Sequence, residues 1–302
     1  MANPVRSNLS TSQYEPAKAT DTAAPRYGLR AIRLRSKSNL APDGLWGISG
    51  RPLRALAGDN EILRRWVPSW GERVTRAQCA AMAAFKLGVH IRPQHTTVQA
   101  MRDAWKAADA LGVDSITTWD HFYPLSGDPG GAHFECWSLL AAMAVDTSRA
   151  QIGAIVSAIA YRNPDLLADM ARTVDHLSGG RLILGIGAGN AERDHQAYGY
   201  SWGKPGARLK DLRRGLERIK SRLGQLNPVP VGALPILIGG GGEQVTLRLV
   251  AEYGDMSNTP GAPDVLKHKN QVIDEWCAKV GRDPRQIERT TNIPITAIER
   301  IP

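Results

Sequence analysis

Asp120 and His121 stand side by side where the strand-like run Ser115–Trp119 gives way to a Gly- and Pro-containing loop, "HFYPLSGDPGG". An acid beside an imidazole is costly to bury unless the pair is hydrogen-bonded or put to use. His121 could take or give a proton near neutral pH. A purely structural account is also open: an Asp that caps a loop and a His packed at a rim. Two glycine-rich stretches offer different chemistry. In "GIGAGNAERD" (185–194), Gly187 and Gly189 leave the backbone uncovered, so a flat ring or a phosphate can approach closely. Its G-x-G-x-G spacing is not the G-x-G-x-x-G of a dinucleotide fold, and a tight turn explains it equally well. In "LIGGGGEQVTLRLV", four glycines at 239–242 join a strand to a helix expected to begin near Glu243. Free N–H groups there would bind an anion, and the amides of Gly240, Gly241 and Gly242 are the candidates. No Gly-Lys-Ser/Thr follows, which excludes a nucleoside-triphosphate loop. The other histidines (His90, His95, His133, His176, His195, His268) show no metal-ligand spacing, so no metal is expected. "HLSGG" (176–180) reads as a helix end and not as a nucleophile turn.

The elements that must position these residues alternate from residue 85 onward. Strands are expected at 85–91, 115–119, 151–158, 181–187, 234–240, 255–258 and 287–294. Between them lie helices at 97–111, 134–145, from an Asn163-Pro164 cap, around Leu209–Leu223, up to Tyr253, and at 264–280. Val98, Met101, Trp105, Ala108 and Leu111 share one face of the first helix, which is expected to pack inward. Repeated β-then-α steps with apolar strands imply a parallel sheet covered by helices. Either an open doubly wound sheet or a closed (β/α) barrel satisfies that pattern. The polar and glycine residues recur where strands end: His90, Arg92 and Gln94; Asp120 and His121; Ser157; Gly189, Asn190 and Arg193; Gly240–Gly242. A barrel gathers such loops on one face, so the expected fold class is α/β, a (β/α)8 TIM-type barrel. Seven βα steps can be read, and an eighth cannot.

Composition bounds the alternatives. Of 38 Lys/Arg and 29 Asp/Glu, residues 1–84 hold 13 and 6, so that segment carries +7 of the net +9. It shows no sustained period of 2 or 3.6 and is expected to be a largely irregular basic extension, 1–84, ahead of a barrel domain, 85–302. Translation starting at Met82 is a second reading of that segment. No aromatic interleaving marks a nucleic-acid partner, and no apolar run approaches the ~18 residues of a membrane span. Cys79, Cys136 and Cys277 are too far apart for a zinc site or disulfide framework, which suits the cytoplasm.

Five segments in this order resemble the bacterial luciferase-like family, in its branch that uses the deazaflavin coenzyme F420. They are "FKLGV", "TTWDHFYPL", "YRNPDLLADMARTVDHLSGGRLILGIGAGNAERDHQAYG", "PILIGGGGEQVTLRLVAEYGDM" and "KVGRDPRQIERT". The resemblance implies a (β/α)8 barrel with F420 in its mouth (FMN being the alternative) and hydride transfer at C5 of the deazaflavin. It implies that Asp120 contacts the ring and that His121 handles the substrate proton. A bulge, often with a non-proline cis peptide, would fall near Ile155-Val156 and Ser157, behind the ring. Gly240–Gly242 would cradle phosphate; Gly189, Asn190 and Arg193 would border the ring and its tail; His90 and Gln94 would face a small-molecule substrate. Members often pair, so a homodimer is an expectation. Sugar-phosphate dehydrogenases of this family carry glutamates where Gln94 and Asn190 stand here. Amides cannot supply a proton or a negative charge at neutral pH, which argues for a different substrate and for a reductase.

Overall fold

Short aliphatic runs alternate with helices whose ends are written in capping residues. The computed structural model describes residues 86–293, so the expected extension 1–84 lies outside the described residues. Strand β1 (Gly88–His90) leads to α1 (Val98–Leu111), β2 (Ser115–Thr118) and α2 (Cys136–Asp146). Next come β3 (Gln151–Ala154), β4 (Ser157–Ala158), α3 (Pro164–Ser178), β5 (Leu182–Gly187) and α4 (Glu192–Ala197). Helix α5 (Pro205–Leu223), β6 (Ile236–Gly239), α6 (Thr246–Tyr253), β7 (Met256–Asn258), α7 (Pro263–Val280) and β8 (Glu288–Thr290) complete the described chain. Thr97 caps α1 by accepting from the Ala100 amide, and Gly112 ends it in the left-handed conformation at φ 93°. Asn163 accepts from the Asp165 amide ahead of Pro164, as the sequence predicts for α3.

All strand pairs are parallel, in the order β1-β2-β3-β5-β6-β7-β8, with β4 paired to β5. Register places Val89 beside Ile116, Ile116 beside Ile152, and Ile186 beside Ile238. The sheet is curled: Lys86, before β1, forms an ion pair with Glu288 at the start of β8, across the two outer edges. This is a TIM-type α/β barrel in which the described residues supply strands from β1 round to β8, and β1 and β8 form the two ends of the hydrogen-bonded order. The main core lies between sheet and helices and includes Trp105, Ile116, Met143, Ile152, Leu184 and Leu216. A second, smaller cluster of Ile183, Leu237 and Met256, with Ile155 and Val156 against it, follows the alternate strand positions that face the inside of the curl.

Three sequence expectations change. The single strand 151–158 is two, β3 and β4, interrupted at the cis Ile155–Val156 peptide. Helix α6 begins at Thr246 and not near Glu243. There the Trp276 indole N–H donates to the Glu243 carbonyl at 2.8 Å, and the Glu243 carboxylate is drawn to Lys269 and His268, so residues 243–245 form a turn. Finally, Val98 and Leu111, expected on the inward face of α1, are exposed at its two ends, while Met101, Trp105 and Ala108 are buried as expected.

Candidate active site at the barrel mouth

Because every strand runs the same way, the loops after β1, β2, β4, β5 and β6 open on one side, and the chemistry-bearing residues collect there. His121 is 8 % exposed and does not act alone. Its Nδ1 lies 2.7 Å from Asp194 Oδ2 on α4. An ionised carboxylate only accepts, so Nδ1 carries the hydrogen and Nε2 presents a lone pair. The same Asp194 oxygen accepts from the Tyr161 hydroxyl at 3.0 Å and from the Phe122 amide at 3.3 Å. Burial pushes the Asp194 carboxyl up, but the His121, Tyr161 and Phe122 hydrogen bonds outweigh it and hold the group below the usual carboxylate range. Burial and the Asp194 charge push the Tyr161 hydroxyl far up, so it stays a donor. The result is an imidazole with one fixed tautomer and a carboxylate placed to stabilise its protonated form.

Asp120 requires a correction. It was expected to open onto the ligand cavity, but its side chain is sealed. Arg162 grips both of its oxygens, at 2.5 and 3.2 Å, and also reaches Glu135 at 2.7 Å. Burial pushes Asp120 above the ordinary carboxylate range, opposed by Arg162 and by a hydrogen bond from Ser157. Burial also pulls Arg162 down, but Asp120 and Glu135 outweigh it, and the guanidinium is raised. Glu135 and Arg162 line a groove of about 620 Å³ between α2 and α3, so this ion pair faces the helix side of the sheet. Adjacent residues at a strand end point to opposite sides, and only His121 reaches the mouth. Ser157 also receives the Trp137 indole N–H at 3.0 Å, so it ties β4 to α2.

Inside the curl, Val156 fills the space left by glycines. A Cβ on Gly187 would meet Val156 Cγ2 at 2.7 Å; one on Gly239 would meet Cγ1 at 2.8 Å. The floor is therefore one aliphatic side chain set among bare backbone, a surface on which a flat ring can rest. At the rim, Gly240 adopts φ 121°, and its N–H already donates to the Asn258 carbonyl at 2.9 Å. The amides of Gly241 and Gly242 have no partner among the described residues, so these two, and not Gly240, are free to meet an anion.

Other expected site residues fall into two groups. His90 hydrogen-bonds through Nδ1 to Thr117 Oγ1 at 2.9 Å and sits 5.7 Å from the Trp119 ring. Burial and the Arg92 charge lower it to about 4, so it is neutral at pH 7. Gln94 is a loop brace: its amide donates to Ser126 Oγ at 2.8 Å and its oxygen accepts from the Leu125 amide at 2.8 Å. Arg193 is likewise committed, with its guanidinium 4.1 Å over Tyr123 and a bond to the Pro129 carbonyl at 3.0 Å. Asn190 is exposed at the loop after β5, and Gly189 holds φ 83° there. Sequence reading missed Asp194, Tyr161, Arg162, His133 and Trp119 as site residues. It also passed over His195, which is fully buried beneath Gly189 with Nε2 unpartnered among the described residues.

A parallel α/β barrel that gathers an imidazole–carboxylate pair, a glycine floor and a glycine rim at its strand C-termini has the layout of a cofactor-binding barrel. The profile described as luciferase-like monooxygenase matches residues 78–300. The chain belongs to that family. It is 30 % identical over 239 residues to an F420-dependent glucose-6-phosphate dehydrogenase of Mycolicibacterium gilvum (strain PYR-GCK), covering 71 % of this chain and 70 % of that one. Among solved structures it resembles an F420-dependent secondary alcohol dehydrogenase in complex with an F420–acetone adduct, with TM-score 0.63, 21 % identity and 68 % of each chain covered. It also resembles the oxygenating constituent of 3,6-diketocamphane monooxygenase from Pseudomonas putida in complex with FMN, with TM-score 0.56, 18 % identity, and 68 % of this chain and 66 % of that one covered.

Proposed function

We propose that this chain is an oxidoreductase that uses coenzyme F420 at the barrel mouth and works as a reductase of a small, uncharged organic carbonyl compound. The observation that carries the reading is the Asp194–His121 pair beside the Val156 floor. The residues fit the coenzyme: the side-chain-poor floor formed by Val156, Gly187 and Gly239 suits a flat ring, and the free amides of Gly241 and Gly242 suit its anionic tail. When bound, the deazaflavin supplies a hydride at C5. A carbonyl that gains a hydride must also gain a proton on oxygen. Protonated His121 donates it from Nε2 while Asp194 holds the ring through Nδ1, and Tyr161 and the Phe122 amide keep Asp194 from turning. In the reverse direction the neutral Nε2 accepts the hydroxyl proton.

The substrate reading departs from the named activity of the Mycolicibacterium relative. Gln94 and Asn190 stand at positions where the resemblance to sugar-phosphate dehydrogenases leads one to expect glutamates, and Gln94 is occupied on both ends of its amide. Anaerobic turnover tests the proposal. Reduced F420 should be oxidised when a neutral ketone is added to the full chain, His121→Gln should lose that rate, and glucose 6-phosphate should not reduce oxidised F420. Turnover that requires oxygen and reduced FMN, with none on F420, would replace this reading with a flavin monooxygenase.

A further inference from the structure

The reading of His121 as proton donor leaves one neighbouring contact without a role. Trp119, the residue just after β2, donates its indole N–H to His133 Nε2 at 3.2 Å. Indole nitrogen only donates, so His133 must offer an unprotonated Nε2. Burial, and then the nearby His121, hold the His133 imidazole below its ordinary value, which keeps that lone pair available. His133 comes from no strand, but the backbone holds it on both sides. Gln94 and His133 form an antiparallel bridge; the His95 amide donates to Ala132 O at 2.8 Å, and the Phe134 amide donates to Pro93 O at 3.0 Å. These ties fasten the loop after β2 to the loop after β1.

The indole so anchored is enclosed by the site. Its ring meets His121 edge-on at 6.0 Å and 85°, and His90 at 5.7 Å and 54°. The Arg92 guanidinium lies 5.8 Å from the ring centre. Trp119 is only half-buried, so part of this flat surface remains open next to the proton-carrying imidazole. Without the bond to His133, rotation about the side-chain bonds would let the ring swing across the mouth. With it, the orientation is fixed before a substrate arrives, which lowers the ordering cost of binding.

We propose that His133 is a positioning residue: its Nε2 pins the Trp119 indole as the wall against which the carbon skeleton of an uncharged ketone or alcohol lies beside His121. The indole face offers a carbon skeleton a flat apolar surface, and His90 beside it is neutral. The inference rests on the acid–base reading of His121, yet its test does not require turnover.

The full chain, with its eight tryptophans, gives eight indole N–H resonances in a nitrogen-correlated NMR spectrum. Trp119→Phe identifies the one concerned. In His133→Phe that resonance should move to the position of an unbonded indole and broaden. In His133→Gln, whose amide oxygen can accept, it should stay near its original place. Cyclohexanone, used as the neutral probe, should shift the Trp119 resonance in the wild-type chain and in His133→Gln, with about tenfold weaker binding in His133→Phe. In turnover the same variant should raise KM for cyclohexanone about tenfold and change kcat less than about threefold. An indole resonance unmoved in His133→Phe overturns the proposal, as does a moved resonance with unchanged cyclohexanone binding, or a loss confined to kcat. A wild-type chain that binds cyclohexanone at Trp119 but does not oxidise reduced F420 refutes the proposed activity and leaves the clamp standing.

Discussion

Asp194→Asn keeps the shape of a side chain that meets three donors and removes only its charge. Oδ2 accepts from His121 Nδ1 at 2.7 Å, the Tyr161 hydroxyl at 3.0 Å and the Phe122 amide at 3.3 Å. The Phe122 N–H can do nothing but donate, so the asparagine oxygen must take the place of Oδ2, and the His121 tautomer is retained. What disappears is the negative charge that stabilises the imidazolium. A hydrogen bond to a charged partner is worth about 1–2 kcal/mol more than a neutral one, so kcat should fall roughly 5- to 30-fold. Stability in urea should change little. Asp194→Ala, by contrast, leaves the Phe122 amide and the Tyr161 hydroxyl without an acceptor and should destabilise the fold by about 1–3 kcal/mol. His121→Gln removes the proton carrier and should cost about 10²–10⁴ in kcat. The assay is anaerobic oxidation of reduced F420 by a neutral ketone, run beside urea unfolding of each variant. A wild-type kcat in Asp194→Asn, together with an inactive His121→Gln, would show that the imidazole needs no charged partner, and the proposed dyad would be wrong.

Gly187→Ala should push its Cβ into Val156 Cγ2, costing about 1–3 kcal/mol and weakening coenzyme binding; Val156→Ala in the same chain should restore much of both, and independent, additive effects in the double variant would count against the shared floor. Arg162→Met should destabilise the chain by roughly 3–5 kcal/mol in urea, because it strands the sealed Asp120 carboxyl, and adding Asp120→Asn should recover part of the loss. His90 is held at about 4 in the fold against 6.5 for the free side chain. Between those values the unfolded chain binds the proton and the folded one does not, so stability should be complete above about pH 6.5 and decline as pH falls toward 4. The decline should reach at most roughly 3 kcal/mol, since the ring keeps some contact with solvent. In His90→Gln that part of the urea-midpoint profile should flatten.

The elements were legible where local chemistry decides them. The span of α1 was read to within a residue at each end, and Asn163-Pro164 opens α3 as expected, because caps act within a few residues. The helix α6 start was misread because a distant indole, Trp276, takes the Glu243 carbonyl that a helix there would have used. The His121 side of the site was visible as a residue type at a strand end, but its partner lies 73 positions away, on a short helix whose only sequence trace was the run Glu192–Asp194. Asp120 was assigned to the mouth because it ends a strand there and the family resemblance puts an acid against the ring. Arg162, 42 positions on, draws it to the opposite side of the sheet. Trp119 and His133 are only 14 apart, yet nothing in a loop sequence tells which nitrogen of a histidine will meet an indole. The glycines were legible as bare backbone, but only the hydrogen-bond pattern separates the engaged Gly240 amide from those of Gly241 and Gly242.

Equilibrium titration of the full chain with oxidised F420 and, separately, with FMN, followed by fluorescence, addresses the account most directly. F420 should saturate at one per chain, FMN should bind at least tenfold more weakly, and Gly241→Val with Gly242→Val should abolish F420 binding without loss of cooperative unfolding. Saturable FMN binding with none for F420, or F420 binding indifferent to both glycine replacements, would contradict it.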